Sequence, residues 1–108
     1  MASVNTVDHT RIKKALALVA ERGEVVAAYL FGSHVEGTAD AWSDVDLAVF
    51  VEGAESWGLV ERARLVAEIQ KHAGDDIEVH FFPAEQHSSP HPASFAAFVL
   101  QHGVAITG

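Results

Sequence analysis

The sequence predicts an α/β domain in which helices pack on one face of a small mixed β-sheet and the opposite face stays open. Three observations predict it. Apolar residues recur at helical spacing in three segments and fill short, strand-like runs in three others. The two kinds of segment alternate along the chain, as they do where helices pack on a sheet. The 108 residues, 49% of them apolar, suffice for one core and exclude intrinsic disorder. We therefore expect one domain over residues 1–108.

The first half of the chain predicts a helix and two strands. Residues 8–22 carry apolar side chains at helical spacing and stop at a glycine. Residues 24–31 form an apolar and β-branched run that ends at Gly32, which is typical of a buried strand. The small, polar residues 33–43 predict a loop. Residues 45–52 then predict a second buried strand.

The second half predicts two helices around a third strand. Residues 57–73 place apolar side chains near one helical face and are followed by a glycine. Residues 77–82 are strand-like and are closed by a proline. Residues 84–92 contain two prolines and predict a loop, and residues 93–102 predict a last helix.

Charge and composition exclude several functions. The chain has 15 acidic and 7 basic side chains, a net charge of −8 and no basic stretch that could neutralise a nucleic-acid backbone. The absence of cysteine excludes disulfides, thiolate zinc sites and cysteine nucleophiles. Residues 1–10 lack the features of a signal peptide, and the longest apolar run, residues 25–31, is too short to span a bilayer. We therefore expect a cytoplasmic protein that binds neither nucleic acid nor membranes.

The alternation of side chains along two strands places carboxylates on one face of the sheet. Asp44 and Asp46 share a face of the second strand, and the residues between and after them on the other face are apolar. Glu78 and His80 share a face of the third strand. If the two strands are neighbours, the three carboxylates converge on the open face. His80 then either contacts a substrate or only fills that face.

These residue types point to phosphate chemistry that depends on a metal ion. Two aspartates separated by one residue can share a divalent cation, and oxygen ligands suit Mg²⁺ or Mn²⁺. Gly32 and Ser33 directly follow a strand, where backbone N–H groups can approach a phosphate closely. Either feature alone is more often a turn or a strand end. Together they favour attack on a nucleotide phosphate.

The spacing of these residues resembles a known signature. Gly32-Ser33, ten further residues and Asp44-Val45-Asp46 fit the pattern of the nucleotidyltransferase superfamily that includes the DNA polymerase β catalytic core. The stretch GSHVEGTADAWSDVDLAVFV resembles the small members called minimal nucleotidyltransferases. The likeness extends over nearly the whole chain, and the motif does not specify the substrate.

The resemblance implies a role for each motif residue. Gly32 and Ser33 would hold the β- and γ-phosphates of a nucleoside triphosphate. Asp44, Asp46 and Glu78 would be the catalytic and metal-binding residues, with two Mg²⁺ ions as cofactors and Glu78 helping to activate the attacking hydroxyl. The reaction would transfer a nucleoside monophosphate, AMP from ATP in the first instance, to an acceptor hydroxyl.

The resemblance also implies a partner, and two departures from the family pattern keep alternatives open. Minimal members typically adenylylate a helical HEPN-type toxin encoded alongside them and act as its antitoxin, in a hetero-oligomer.

The chain has Glu36 where an arginine often precedes the second glycine, and Glu78 where the family usually has aspartate. The alternatives are an adenylyltransferase for antibiotic-like small molecules, completed by homodimerisation, and a partner-binding module with a degenerate site.

Overall fold

The computed structural model describes residues 9–32 and 45–106, and its elements follow the alternation predicted from the sequence. None of the helices in these two stretches is both long and apolar enough to cross a membrane. In chain order the elements are helix α1 (His9–Ala20), strands β1 (Val25–Phe31) and β2 (Val45–Val51), a 3₁₀ turn (Ala54–Ser56), helix α2 (Leu59–Ala73), strand β3 (Ile77–Pro83), helices α3 (Glu85–Ser88) and α4 (Phe95–His102), and strand β4 (Val104–Ala105).

The four strands form one mixed sheet in the order β3-β2-β1-β4. Strand β1 runs antiparallel to both β2 and β4, whereas β2 and β3 are parallel. The parallel pair is connected through α2, as a parallel crossover requires. The predicted α/β class, with a small mixed sheet, is therefore confirmed, and so is the adjacency of the two strands that carry the carboxylates.

The main core lies between one face of the sheet and helices α1 and α2. Each element contributes its apolar positions at the spacing that its geometry sets, i and i+3 or i+4 on the helices and every second residue on the strands. The buried members are Ile12, Ala15, Val19, Ala28, Leu30, Val45, Leu47, Val49, Val51, Ala54, Leu65, Ile69, Ala73, Ile77 and Val79.

The opposite face of the sheet, which was expected to be open, is partly covered, because helix α4 packs on it. A second cluster of buried residues joins Ala96 and Val99 of α4 to Phe31, Ala48 and Phe50 of the sheet. Burial of the apolar side chains on this face of β1 and β2 is favourable, and α4, which is apolar on most of its surface, buries them. The carboxylate-bearing end of β2 and β3 adjoins this cluster, because Phe31 is the register partner of Asp46.

After β3, the described chain differs from the sequence prediction in three places. The segment predicted as a loop over residues 84–92 contains the single helical turn α3. The last helix begins at Phe95, because the Ser94 hydroxyl accepts a hydrogen bond of 3.1 Å from the Ala97 N–H and caps it. The two-residue strand β4 was not predicted, because so short a strand has no periodicity to detect.

The turn before β3 is held in place by Arg11 of helix α1. Its Nε donates a hydrogen bond of 2.7 Å to the Ala73 carbonyl, and its guanidinium pairs with the Asp76 carboxylate. The Asp76 carbonyl in turn accepts a 2.7 Å hydrogen bond from the Val45 N–H. Arg11 thus supports the point where β2 and β3 begin to pair.

Replacing Arg11 with methionine is expected to lower the free energy of unfolding by about 1–2 kcal/mol, since it removes one hydrogen bond and a partly exposed ion pair. Urea unfolding followed by circular dichroism measures this change. The matched control is Lys14→Met, an exposed position on the same helix, where a change below about 0.5 kcal/mol is expected. Equal effects of the two substitutions would show that Arg11 does not support the turn.

Candidate active site

The parallel pairing of β2 and β3 places Asp46 and Glu78 directly opposite each other. Their Cα atoms are partners in the register of the two strands, and both side chains project on the same face because the pleats of paired strands are in phase. Asp46 is partly buried, whereas the side chain of Glu78 is 55% exposed. The convergence predicted from the alternation of side chains is therefore observed for these two carboxylates.

Gly32, at the end of β1, lies against the side chain of Asp46. Its neighbour Phe31 is the register partner of Asp46 in the antiparallel pair, and Gly32 follows with φ of 84°. A Cβ atom at Gly32 would lie 2.5 Å from Oδ2 of Asp46, so only a residue without a side chain leaves the carboxylate where it is. The backbone after β1 thus lies directly against one of the predicted metal ligands.

His80 lies beside the carboxylates, on the same face of β3 as Glu78. Its Nε2 is 3.7 Å from Oε1 of Glu78, which is longer than a hydrogen bond. Two aromatic rings pack against the imidazole, with centroid distances of 5.5 Å to Phe31 and 5.4 Å to Phe95. The ring is therefore held by residues from β1 and α4 while its Nε2 edge is on the side of Glu78.

The side chains of Asp46, Glu78 and His80 have the donor atoms for a divalent cation. One ligand atom from each can be chosen so that all three lie within 4.8 Å of one another. Small side-chain rotations from this separation would bring the atoms onto a single ion, whose bonds to oxygen or nitrogen are about 2.0–2.2 Å long. Two carboxylates and an imidazole fit such an ion.

Of the five site residues predicted from the sequence, the structure describes three. Gly32, Asp46 and Glu78 come together as described above. Ser33 and Asp44 lie outside the described residues. The sequence left the role of His80 open, and it gave no sign of Phe31 and Phe95, because their contacts depend on how α4 packs on the sheet.

An apolar groove runs along the edge of β3 next to the site. This β3-edge groove is a cavity of about 420 Å³ bordered by α2, β3 and α4, and His80 is shared between it and the carboxylates. Two of its lining residues are large and exposed, Leu59 at 84% and Phe95 at 46%. Most of its lining is aromatic or aliphatic, for example Phe81 and Val66, and Arg62 also lines it. A surface with these properties can bind an apolar segment of another molecule.

Comparison with known proteins gives results consistent with this geometry. The model of the nucleotidyltransferase domain family matches residues 12–105, most of the chain. A crystal structure of a Sulfolobus solfataricus protein, itself assigned as a nucleotidyltransferase, superposes with a TM-score of 0.55 and 18% sequence identity. The superposition covers 73% of this chain and 69% of the other, and at that identity it shows a shared fold. No curated protein matches the chain.

Proposed function

This chain belongs to the nucleotidyltransferase domain family, and from that premise we propose that it transfers AMP from ATP to a hydroxyl group of an acceptor. The observation that carries the proposal is the pairing of Asp46 with Glu78 across β2 and β3, with Gly32 packed against the Asp46 carboxylate. This arrangement brings Gly32, from the first part of the sequence signature, against Asp46, from the second part.

The chemistry assigned to the residues is a displacement at the α-phosphorus of ATP. When bound, divalent cations neutralise the charge on the entering and leaving oxygens, Mg²⁺ being the ion expected from the family resemblance. Asp46 and Glu78 would be ligands of the ions, and Asp44, which lies outside the described residues, would be a third. Gly32 and Ser33 would hold the β- and γ-phosphates, because a glycine lets the backbone N–H groups approach them.

The proposed transfer exchanges one bond at the α-phosphorus of ATP for another. The acceptor oxygen forms a bond to the α-phosphorus, the bond from that phosphorus to the bridging oxygen of the β-phosphate breaks, and pyrophosphate leaves. The hydroxyl proton would pass to Glu78, whose side chain is 55% exposed and therefore reachable by an acceptor from solvent.

We further propose that the acceptor is a protein, and specifically a helical HEPN-type toxin that this chain neutralises. The family resemblance supplies the identity of the partner, and the β3-edge groove supports a protein acceptor. The groove is continuous with the site through His80 and exposes Leu59 and Phe95, apolar side chains suited to a protein surface. A polar, antibiotic-like acceptor has less to gain from such a surface.

The experiment that tests the transfer uses ATP labelled on the α-phosphate, with γ-labelled ATP as its control. Each is incubated with Mg²⁺, the purified chain and a lysate of its source cells. Label from the α position alone, on a macromolecule, is the expected result, and the size of the labelled species identifies the acceptor. Label on a small molecule would favour the antibiotic-type alternative. No transfer of label from ATP or from the other nucleoside triphosphates would favour the partner-binding module.

The groove gives a second expectation, which concerns the acceptor. Leu59→Asp is expected to reduce labelling of a protein acceptor at least about tenfold, because a charge would be buried in the apolar contact. The matched control is Val60→Asp, since Val60 is 65% exposed, is the next residue of α2 and does not line the groove. An acidic side chain is favourable in the first turn of a helix, so both variants should keep the fold. Equal labelling by both would place the docking surface elsewhere.

A further inference from the structure

We propose that His80 is a nitrogen ligand of the cation held by Asp46 and Glu78, and that this position therefore prefers a divalent transition-metal ion to Mg²⁺. The inference deepens the proposed function, on which it rests for the presence of a cation at this position. It concerns which ion that position selects.

The geometry at His80 is that of a ligand held in place. Phe31 and Phe95 pack against its ring, and Phe31 and Phe95 also contact each other, with a centroid distance of 5.4 Å. The imidazole is therefore held between rings from β1 and α4. In this orientation Nε2 lies 3.7 Å from Oε1 of Glu78. One ligand atom from each of Asp46, Glu78 and His80 lies within 4.8 Å of the other two.

The separation of the donor atoms fits a shared cation better than a direct contact. A hydrogen bond between an imidazole nitrogen and a carboxylate would be about 2.7–3.0 Å long. Two ligand atoms on one cation, each bonded at about 2.0–2.2 Å, lie roughly 3–4 Å apart. The 3.7 Å between His80 and Glu78 is in the second range, and the oxygen of Asp46, within 4.8 Å of the other donor atoms, is brought into it by a small rotation of its side chain.

The donor set determines the preference for the ion. Mg²⁺ selects oxygen ligands and keeps several of its waters, so an imidazole adds little to its binding. Transition-metal ions such as Co²⁺ bind imidazole well, and their affinity for mixed nitrogen and oxygen sites increases from Mn²⁺ to Cu²⁺. A site with two carboxylates and one imidazole should therefore discriminate between Co²⁺ and Mg²⁺ through His80.

The test compares Co²⁺ and Mg²⁺ binding to the metal-free chain, without nucleotide, by calorimetric titration. In His80→Gln the dissociation constant for Co²⁺ should rise at least about tenfold, and that for Mg²⁺ should change less than about threefold. The matched control is His72→Gln, an exposed histidine on α2, which should change neither constant. A Co²⁺ constant unchanged in His80→Gln would overturn the proposal, and so would an equal loss of affinity for both ions.

A second measurement observes the proposed ligand directly in the wild-type chain. In the wild-type chain with ¹⁵N-labelled histidine, Zn²⁺, which binds imidazole and is diamagnetic, should shift the ¹⁵N signals of His80 by direct coordination. The His80 signals are identified as those missing from the spectrum of His80→Gln. Wild type with Zn²⁺ bound and unshifted His80 signals would exclude nitrogen ligation. Because no nucleotide is present, the result is independent of AMP transfer, and failure of the labelling experiment would leave it standing.

Discussion

Asp46→Asn is expected to reduce nucleotidyl transfer roughly a thousandfold while the chain stays folded. Stabilisation of charge by a bound metal is worth several kcal/mol in the transition state, and each 1.4 kcal/mol corresponds to a factor of about ten in rate. Asparagine has nearly the shape of aspartate but lacks the negative charge, so the cation loses a ligand that β2 places opposite Glu78. Transfer from α-labelled ATP measures the rate, and circular dichroism measures the fold.

Asp75→Asn is the control for Asp46→Asn. Asp75 is exposed in the turn before β3, and its neutralisation changes the net charge by the same amount. The control should keep its activity within about twofold, because Asp75 is exposed and its charge is screened by solvent and salt. Full activity of Asp46→Asn would contradict the assignment of the site, whatever the behaviour of the control.

Gly32→Ala is expected to disable the site through its geometry. The left-handed backbone at φ of 84° costs a residue with a side chain about 1–2 kcal/mol. In addition, the new Cβ would lie 2.5 Å from the Asp46 carboxylate, which must move away. A displacement of about 1 Å at a reacting centre can reduce the rate a hundredfold, so we expect a loss of at least that size together with weaker cation binding.

Gly53→Ala separates the two effects of the Gly32 substitution. Gly53 also has a left-handed backbone, with φ of 80°, but a Cβ there meets no atom within 4 Å. Both variants should lose about 1–2 kcal/mol of stability, and only Gly32→Ala should lose transfer and cation affinity. If Gly32→Ala keeps the cation affinity of Gly53→Ala, the contact between Gly32 and Asp46 does not matter for the site.

Much of the architecture could be predicted because its patterns are local. The spacing of Ile12, Ala15 and Val19 identifies α1, and the alternation in β2 and β3 gives the face on which each residue lies. The placement of α4 could not be predicted, since its sequence is apolar on most sides and gives no single face to bury. The support that Arg11 gives to the turn before β3 joins residues more than 60 positions apart, and no sequence pattern indicates it.

The candidate site likewise has a part that follows from local sequence patterns and a part that depends on long-range contacts. The phase of Asp46 and Glu78 on their strands could be determined from the sequence, and their convergence then required only that the strands be neighbours. The contact of Gly32 with Asp46 depends on the register of the antiparallel pair, which places Phe31 opposite Asp46. The position of His80 depends on Phe31 and Phe95, which come from two other elements.

The parallel pairing of β2 with β3 has a consequence for folding. The two carboxylates it unites are separated by a helix and two turns, so the ligand set does not exist until this long-range contact has formed. An unfolded chain should therefore have little affinity for the cation, and occupancy of the site should raise the melting temperature by mass action. A cation bound for the proposed reaction would thus also stabilise the folded sheet, and a chelator would lower the melting temperature.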